Sequence, residues 1–243
     1  MRKRVGGTAL AGTGAGVALA KDGERASPYR PVARETVQDQ VHGQLEALIL
    51  DGEIEPGVTV TIQGLAEAFG VSAMPVREAL HRLTAAGALT VIAGRSVGIP
   101  PLSVERLMDL ARVRAEIEGI AAEWAAARVT PALLQRLDAL IAQMESSTAD
   151  ADRKSFVPAN REFHFAIYRT AASETLMAVI QPLWLRIGPY LALLRGSGNW
   201  RVANRQHRLI RDALAKGDGK AARDALRADI DEAAQILAAL LQD

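Results

Sequence analysis

The sequence predicts a mostly α protein in two parts: a small N-terminal unit of short helices and strands, then an all-helical antiparallel bundle. Three observations predict it. The chain is 49% hydrophobic but only 4% aromatic, with Ala and Leu dominant, and that mixture favours packed helices over strands. Apolar residues recur at helical spacing along most of its length. The short β-prone runs all precede Pro100-Pro101, a pair that stiffens the chain and disfavours helix. We therefore expect a flexible tail over 1–31, a first domain over 32–101 and a second over 102–243, a length that suits two modest domains.

The first twenty residues, MRKRVGGTALAGTGAGVALA, begin basic and continue apolar, as export signals do. Five glycines between Gly6 and Gly16 interrupt the run, so it is a poor hydrophobic helix and is read as a tail, or as a start set too early. No other stretch is expected to reach the ~20 apolar residues that span a bilayer. The absence of cysteine excludes disulfides and thiolate metal sites and fits a reducing cytoplasm. Net charge is near zero, but its distribution is uneven. Residues 1–30 carry six basic and two acidic side chains, whereas residues 31–101 carry four arginines against eight acids. An acidic segment argues against nucleic-acid binding unless its few cations share one face.

Taken in order, residues 35–50 place Val37, Val41, Leu45, Leu48 and Ile49 at helical spacing before Asp51-Gly52 and the Glu55-Pro56-Gly57 turn. Val58 to Thr61 reads as a short extended piece. Leu65, Ala66 and Phe69 form a second helix stopped by Gly70. Ser72 is the expected N-cap of a third, with Pro75 in its first turn and Val76, Ala79, Leu80 and Leu83 inward. Leu89–Ile92 and Val97–Ile99 bracket Ala93-Gly94-Arg95-Ser96 as a β-hairpin. Beyond Ser103 only helices are expected: 103–128, 131–148, 158–172, 174–195 with a break near Gly188-Pro189, 199–216 and 219–241. Ser103, Thr130 and Ser173 supply caps, and Gly217 and Gly219 divide the last two helices. No internal repeat is present.

Three short helices and a hairpin make a winged helix-turn-helix, with Ala66 where two helices touch, Gly70 at the turn and Val71 beneath. The third helix would enter the major groove. Arg77 and His81 lie one turn apart on one face, while Arg95 at the hairpin tip can reach a phosphate or the minor groove. The residues expected at double-stranded DNA are Gln63, Ser72, Met74, Arg77, His81, Gly94 and Arg95. The plainer alternative for Arg77 is a salt bridge to Glu78 or Glu67.

The run Leu65-Ala-Glu-Ala-Phe-Gly-Val-Ser-Ala-Met-Pro-Val-Arg-Glu-Ala-Leu-His-Arg-Leu, preceded by Ile54-Glu-Pro-Gly, closely resembles the GntR family of transcription regulators. Gly94-Arg95 and Pro101-Leu-Ser extend the match. The family usually has Arg and Thr after the capping serine; here Ala73 and Met74 stand there, which implies an altered operator preference. Met74 can still meet a thymine methyl. The second half resembles the FCD-type ligand-binding domain of the FadR branch, through Arg112-Val-Arg114 to Glu118, Glu162-Phe-His164, and Gln206-His207 to Gly217-Asp218.

That resemblance implies a divalent metal held by one aspartate and three histidines. Carried over residue by residue, the ligand positions are Asn160, His164, His207 and Asp229, so two of the four have changed type while one carboxylate and two imidazoles remain. Two readings stay open. In one, these residues bind Zn, Ni or Mn and leave positions for a carboxylate effector. In the other, the site is metal-free and the histidines hydrogen-bond the bundle interior or an effector. Arg112 and Arg114 are candidate clamps for an organic acid, or else interhelical partners of Glu116 or Glu118. Trp124, Trp184 and Trp200 read as core or interface. A metal-dependent hydrolase is the rival class; against it, there is no Ser/His/Asp arrangement, glycine-rich phosphate loop or evident general base. A helical interaction module is a third class. The expectation is a cytoplasmic homodimeric regulator that responds to an effector and is neither enzyme nor membrane protein.

Overall fold

The computed structural model describes residues 36–93, 96–149, 155–196 and 200–242. The tail expected over 1–31, and the hairpin tip residues Gly94 and Arg95, lie outside them. Helix α1 (Val37–Leu50) opens with a capping box: the Thr36 hydroxyl accepts from the Asp39 N–H at 3.2 Å, and the Asp39 carboxylate accepts from the Thr36 N–H at 3.3 Å. It buries Val41, Leu45, Ile49 and Leu50, while Val37, in the uncovered first turn, is exposed. Strand β1 (Thr59–Thr61) leads into α2 (Ile62–Phe69), whose first turn is capped by Thr61. Gly70 ends α2 at φ +65°, with its N–H and that of Val71 returning to the Glu67 and Ala66 carbonyls. Such a left-handed cap strains residues bearing a Cβ. Ala66 is buried as expected, but Val71 is only half-buried, at the rim of the core rather than beneath it.

Helix α3 (Ala73–Ala85) turns Val76, Ala79, Leu80 and Leu83 into the core shared with α1. Strands β2 (Thr90–Ala93) and β3 (Ser96–Gly98) follow. The sequence predicts a two-stranded hairpin; the structure has a three-stranded antiparallel sheet in the order β1-β3-β2. Gly98 lets β1 close on the hairpin, since a Cβ there would lie 2.6 Å from the Val58 carbonyl oxygen.

From Ser103 onward the described residues are helical or in turns: α4 (Val104–Ala126), α5 (Pro131–Ala149), α6 (Phe156–Thr170), α7 (Glu174–Leu191), a 3-10 turn (Ala192–Gly196), α8 (Trp200–Ala215) and α9 (Gly219–Leu240). Ser103, Thr130 and Ser173 accept from the N–H groups of Arg106, Leu133 and Leu176, as the sequence predicts. Helix α4 is central and packs against α6, α7, α8 and α9. The break expected at Gly188-Pro189 does not occur: α7 runs through both Pro182 and Pro189. Each internal proline forfeits a hydrogen bond and costs about 3 kcal/mol in an unsupported helix. Here burial of Ile180, Trp184, Leu185, Ile187 and Tyr190 holds the helix straight through. From Glu174 to Leu194 the segment is long and apolar enough to cross a membrane, contrary to the sequence expectation, yet its apolar face lies in the core of the bundle.

Residues 99–103 carry the chain from sheet to bundle without regular structure, and the described residues form one compact unit. Helix α7 makes the junction. A Cβ on Gly188 would sit 3.0 Å from the Leu50 Cα, so α7 and the end of α1 are in backbone contact. The Tyr190 hydroxyl donates to the Pro100 carbonyl. The Arg186 guanidinium lies over Gly87, just past the C-terminus of α3, where a helix dipole favours a cation. Arg161 of α6 adds an ion pair to Asp51, 2.9 Å away.

Candidate functional site

The helix-turn-helix presents one outward face. Gln63 on α2 and Ser72, Met74, Arg77 and His81 on or before α3 are all exposed, Met74 by 63%. Met74, Arg77 and His81 follow at three- and four-residue spacing and form one stripe. Ser72 is the N-cap residue of α3 as the sequence predicts, with the extended cap conformation, but its hydroxyl makes no capping bond and is left at the surface. Arg77 forms no ion pair among the described residues, with neither Glu78 nor Glu67, whereas Arg82 on α3 pairs with Asp39 at 3.4 Å. The acids Asp39 and Asp51 are thus both turned to partners within the fold.

The second cluster lies inside the helical bundle. His164 of α6, His207 of α8 and Asp229 of α9 are all buried, and one ligand atom from each lies within 4.8 Å of the others. His164 Nε2 is 3.3 Å from Asp229 Oδ2, and His207 Nε2 is 3.6 Å from Asp229 Oδ1. Three helices far apart in sequence therefore bring the predicted ligands together. Asn160 stands one helical turn before His164 and is half-buried.

Family models match both halves of the chain: the bacterial regulatory proteins of the gntR family over residues 37–99, and the FCD domain over residues 109–232. The chain belongs to the GntR family. Its relatives include the HTH-type transcriptional regulator McbR of Escherichia coli (strain K12), 33% identical over 155 residues, which is 64% of this chain and 70% of McbR. The HTH-type transcriptional regulator LutR of Bacillus subtilis (strain 168) is 27% identical, covering 81% of this chain and 99% of LutR. The solved E. coli McbR/YncC structure superposes with a TM-score of 0.77 at 28% identity, over 84% of this chain and 98% of that one. A GntR regulator structure from Rhodococcus sp. RHA1 shares the fold, with a TM-score of 0.68, 24% identity and coverage of 83% and 98%. This is a family of transcription regulators rather than enzymes, and its FCD domain is a ligand-binding domain.

The FCD half of this GntR regulator holds more polar groups than the sequence reading found. Glu118, fully buried on α4, accepts from Arg114 at 2.6 and 3.2 Å, from the Trp184 indole N–H at 3.1 Å, and from the Tyr168 hydroxyl. The Tyr168 oxygen also lies 3.2 Å from His164 Nδ1, and Asn204 Oδ1 lies 3.3 Å from His207 Nδ1. Trp184 is in the core, as the sequence predicts, but its polar role is not legible there. Tyr168 and Asn204 are not singled out by the sequence, although Tyr168 is four residues after His164 and Asn204 three before His207, spacings that share a helical face.

Of the two arginines expected to clamp an effector, Arg114 is buried beside this network, with its guanidinium 4.9 Å from the Trp184 ring centre. Its partner Glu118 is on the same helix, so the pair is not interhelical. Arg112 is on the exposed side of α4, paired with Asp109 at 2.6 Å, and is not brought to the site. Glu116 binds Arg223 and Arg227 of α9 instead.

Burial pushes the His207 imidazole down to about 4, against the pull of Asp229 and assisted by His164. Burial acts to raise Asp229, but the neighbouring imidazoles and Arg114 together hold its carboxyl below the usual range. A carboxylate beside a neutral His207 is the arrangement we adopt. Burial and then Glu118 push the Tyr168 phenol well up, so it stays a hydroxyl. The residues fit a divalent cation. His207 Nε2 is buried with no hydrogen-bond partner. The 3.3 and 3.6 Å separations are near the ~3.4 Å edge of a tetrahedron with ~2.1 Å bonds.

Proposed function

We infer that this GntR regulator binds a DNA operator through the α2–α3 face, and that a small carboxylate effector in the FCD half controls the affinity. Residues 32–101 supply the DNA-binding part, and residues 102–243 the effector-binding and dimerising part, of a cytoplasmic protein. The observation that carries the reading is the placement of α7. Within seven residues it donates Trp184 to the buried cluster and applies Arg186, Gly188 and Tyr190 to the end of α3, the end of α1 and the connecting segment. A change at Glu118 is thereby felt at the base of the recognition helix without passing through a flexible link. A ligand shifts such an equilibrium only by binding one arrangement better.

In this reading His164, His207 and Asp229 hold a divalent ion of the Zn, Ni or Mn type, with Asn160 as a weaker fourth donor. When bound, the ion offers open positions to an anion. Two neutral imidazoles and one carboxylate leave a dication with net positive charge in a buried site, and a carboxylate effector balances it. Arg114 is the nearby cation that remains in the proposal; Arg112 is left out.

A homodimer is part of the proposal because operators of this kind are read as paired half-sites. Val113, Ile117, Ile120 and Trp124 form a stripe along α4 at four-, three- and four-residue spacing, with Val113 41% and Trp124 47% exposed. A second copy would cover them.

The test is selection of bound sites from a random DNA pool, with Arg77→Ala as control. Enrichment of a palindromic site, lost or weakened at least tenfold in the variant, is the expected result; the selected site then serves to screen organic acids with and without Zn, Ni or Mn. Failure of the native protein to enrich any sequence overturns the operator reading. An operator affinity indifferent to every acid and metal overturns the effector reading.

A further inference from the structure

A metal centre needs its imidazoles presented by the correct nitrogen, and the hydrogen bonds around this cluster determine which nitrogen that is. Glu118 accepts from Arg114 through both oxygens and from the Trp184 N–H through Oε2. Both oxygens are therefore acceptors, and the Tyr168 hydroxyl bonded to Oε2 is the donor. A hydroxyl has one proton. With it committed to Glu118, the Tyr168 oxygen meets His164 Nδ1 at 3.2 Å as an acceptor, so that Nδ1 carries the hydrogen. On the other side an amide oxygen, Asn204 Oδ1, lies 3.3 Å from His207 Nδ1. In this amide orientation, which leaves Asn204 Nδ2 buried without a partner, the oxygen accepts and His207 Nδ1 carries the hydrogen. The two Nε2 atoms then carry the lone pairs; they lie 3.3 and 3.6 Å from the Asp229 oxygens, and that of His207 is a buried atom with no partner. Three facing acceptors repel one another unless a positive charge lies among them.

We propose that Tyr168, itself held by Glu118, and Asn204 are positioning residues that keep both imidazoles as Nδ1–H tautomers and so direct His164 Nε2, His207 Nε2 and the Asp229 carboxylate onto one divalent cation. The inference rests on the metal reading given above and specifies what that reading leaves open. Neither residue touches the ion. Each acts through a ring, as the outer hydrogen-bond partners of metal-bound histidines generally do, orienting it and raising its basicity. The two supports are unequal. The Tyr168 support runs on through Glu118 to Trp184 of α7, the helix that reaches the DNA-binding half, whereas the Asn204 support stays within α8. Loss of Tyr168 is thus expected to alter both metal retention and operator response, and loss of Asn204 metal retention alone.

The experiment uses the full chain stripped with a chelator and titrated with Zn2+ in competition with an indicator, and with Co2+ for its absorption spectrum. Tyr168→Phe and Asn204→Ala are expected to weaken binding by about 10–100-fold each and to shift the cobalt bands. Asn204→Asp, which restores an acceptor, is expected to recover most of the affinity. Long-range 15N–1H spectra of the stripped native protein provide a readout independent of any metal: both rings are expected to carry hydrogen on Nδ1, and Asn204→Ala to release His207 into a mixture. Circular dichroism confirms that each variant is folded. Variants with native metal affinity and native tautomers overturn the proposal, as does a native protein with Nε2–H or doubly protonated rings. A native protein that shows both Nδ1–H tautomers but takes up no ion overturns the metal reading and leaves the tautomer assignment standing.

Discussion

Replacing Glu118 by Leu tests a buried carboxylate that binds three side chains in the core. The side chain is fully buried, and it accepts from Arg114, itself 5% exposed, and from the donors of Tyr168 and Trp184. Breaking a buried ion pair from one side costs about 3–5 kcal/mol, because the remaining charge stays desolvated. Each neutral donor left behind adds about 1–3 kcal/mol. The groups share one network, so the costs overlap; we expect Glu118→Leu to lose about 5 kcal/mol. For a folded unit of this size that is roughly 10–20 °C in Tm. Arg114→Met together with Glu118→Leu removes both charges while keeping an apolar body against Trp184. The double variant is expected to lose about 2–4 kcal/mol, less than Glu118→Leu alone, since only the Tyr168 and Trp184 donors stay unpaired. Adding Tyr168→Phe removes the unpaired phenol donor but leaves the buried His164 Nδ1–H without its acceptor, so the triple variant is expected within about 1 kcal/mol of the double. Urea unfolding at pH 7.5 in chelated buffer, followed by circular dichroism, measures all three. A loss below about 2 kcal/mol for the single variant refutes the reasoning, as does a double variant that is worse by the full additive amount.

Three further perturbations follow from the geometry. His207 sits at about 4 in the native metal-free protein, against an ordinary 6.5. Between those values the unfolded chain binds a proton that the native protein refuses, so stability falls as pH drops from about 6.5 to about 4, by roughly 3 kcal/mol in total. His207→Gln is expected to flatten that part of the urea-measured profile, and equal slopes in the two proteins would sink the assignment. Gly188→Ala places a Cβ 3.0 Å from the Leu50 Cα and 3.2 Å from its carbonyl oxygen. Rigid backbone on both sides predicts a loss of about 1–3 kcal/mol and a weakened α1–α7 junction, seen in urea melts together with a reduced effector response; a stability within about 0.5 kcal/mol of native contradicts this. Trp124→Glu puts a charge into the proposed contact on α4, and sedimentation is expected to show monomer at concentrations where the native chain is dimeric; an unchanged mass removes that stripe from the interface.

The parts of the fold written in local chemistry were legible. Gly70 announces the α2 stop because only a left-handed residue ends the helix there, and Ser103, Thr130 and Ser173 announce helix starts by capping them. Parts decided by distant neighbours were not. Val58 to Thr61 reads as an isolated extended piece, because nothing local says that Gly98 leaves room for it on the hairpin. Gly188-Pro189 predicts a broken helix from propensity alone, yet α7 is continuous because its apolar residues from Ile180 to Leu191 are buried against other elements. The same division holds at the site. Residues His164, His207 and Asp229 were reachable through the family pattern, and their convergence is a tertiary fact. Arg112 and Arg114 look equivalent in sequence, but two residues on a helix differ by about 200°, so one faces solvent with Asp109 and the other the core with Glu118.

Part of any regulatory response passes through α7. From Trp184 to Tyr190 is six residues, about 9 Å of helix, so the buried cluster and the contacts to the DNA-binding half are separated by less than two turns of one rigid element. At the site end of that span Trp184 joins α7 to the cluster through its Nε1–H bond to Glu118 Oε2 and through its ring, which lies 4.9 Å from the Arg114 guanidinium. An anion that draws Glu118 or Arg114 toward itself must weaken or reorient that bond. A hydrogen bond to a charged group is worth about 1.5–3 kcal/mol, so loss of this bond by itself separates two states by about that much. Linkage converts this into a change of roughly 10- to 150-fold in operator affinity. The Arg161–Asp51 pair between α6 and α1 is a second coupling path. It stands three residues before His164 on the same helix, so ligand-driven movement of α6 would reach α1 as directly as α7 does.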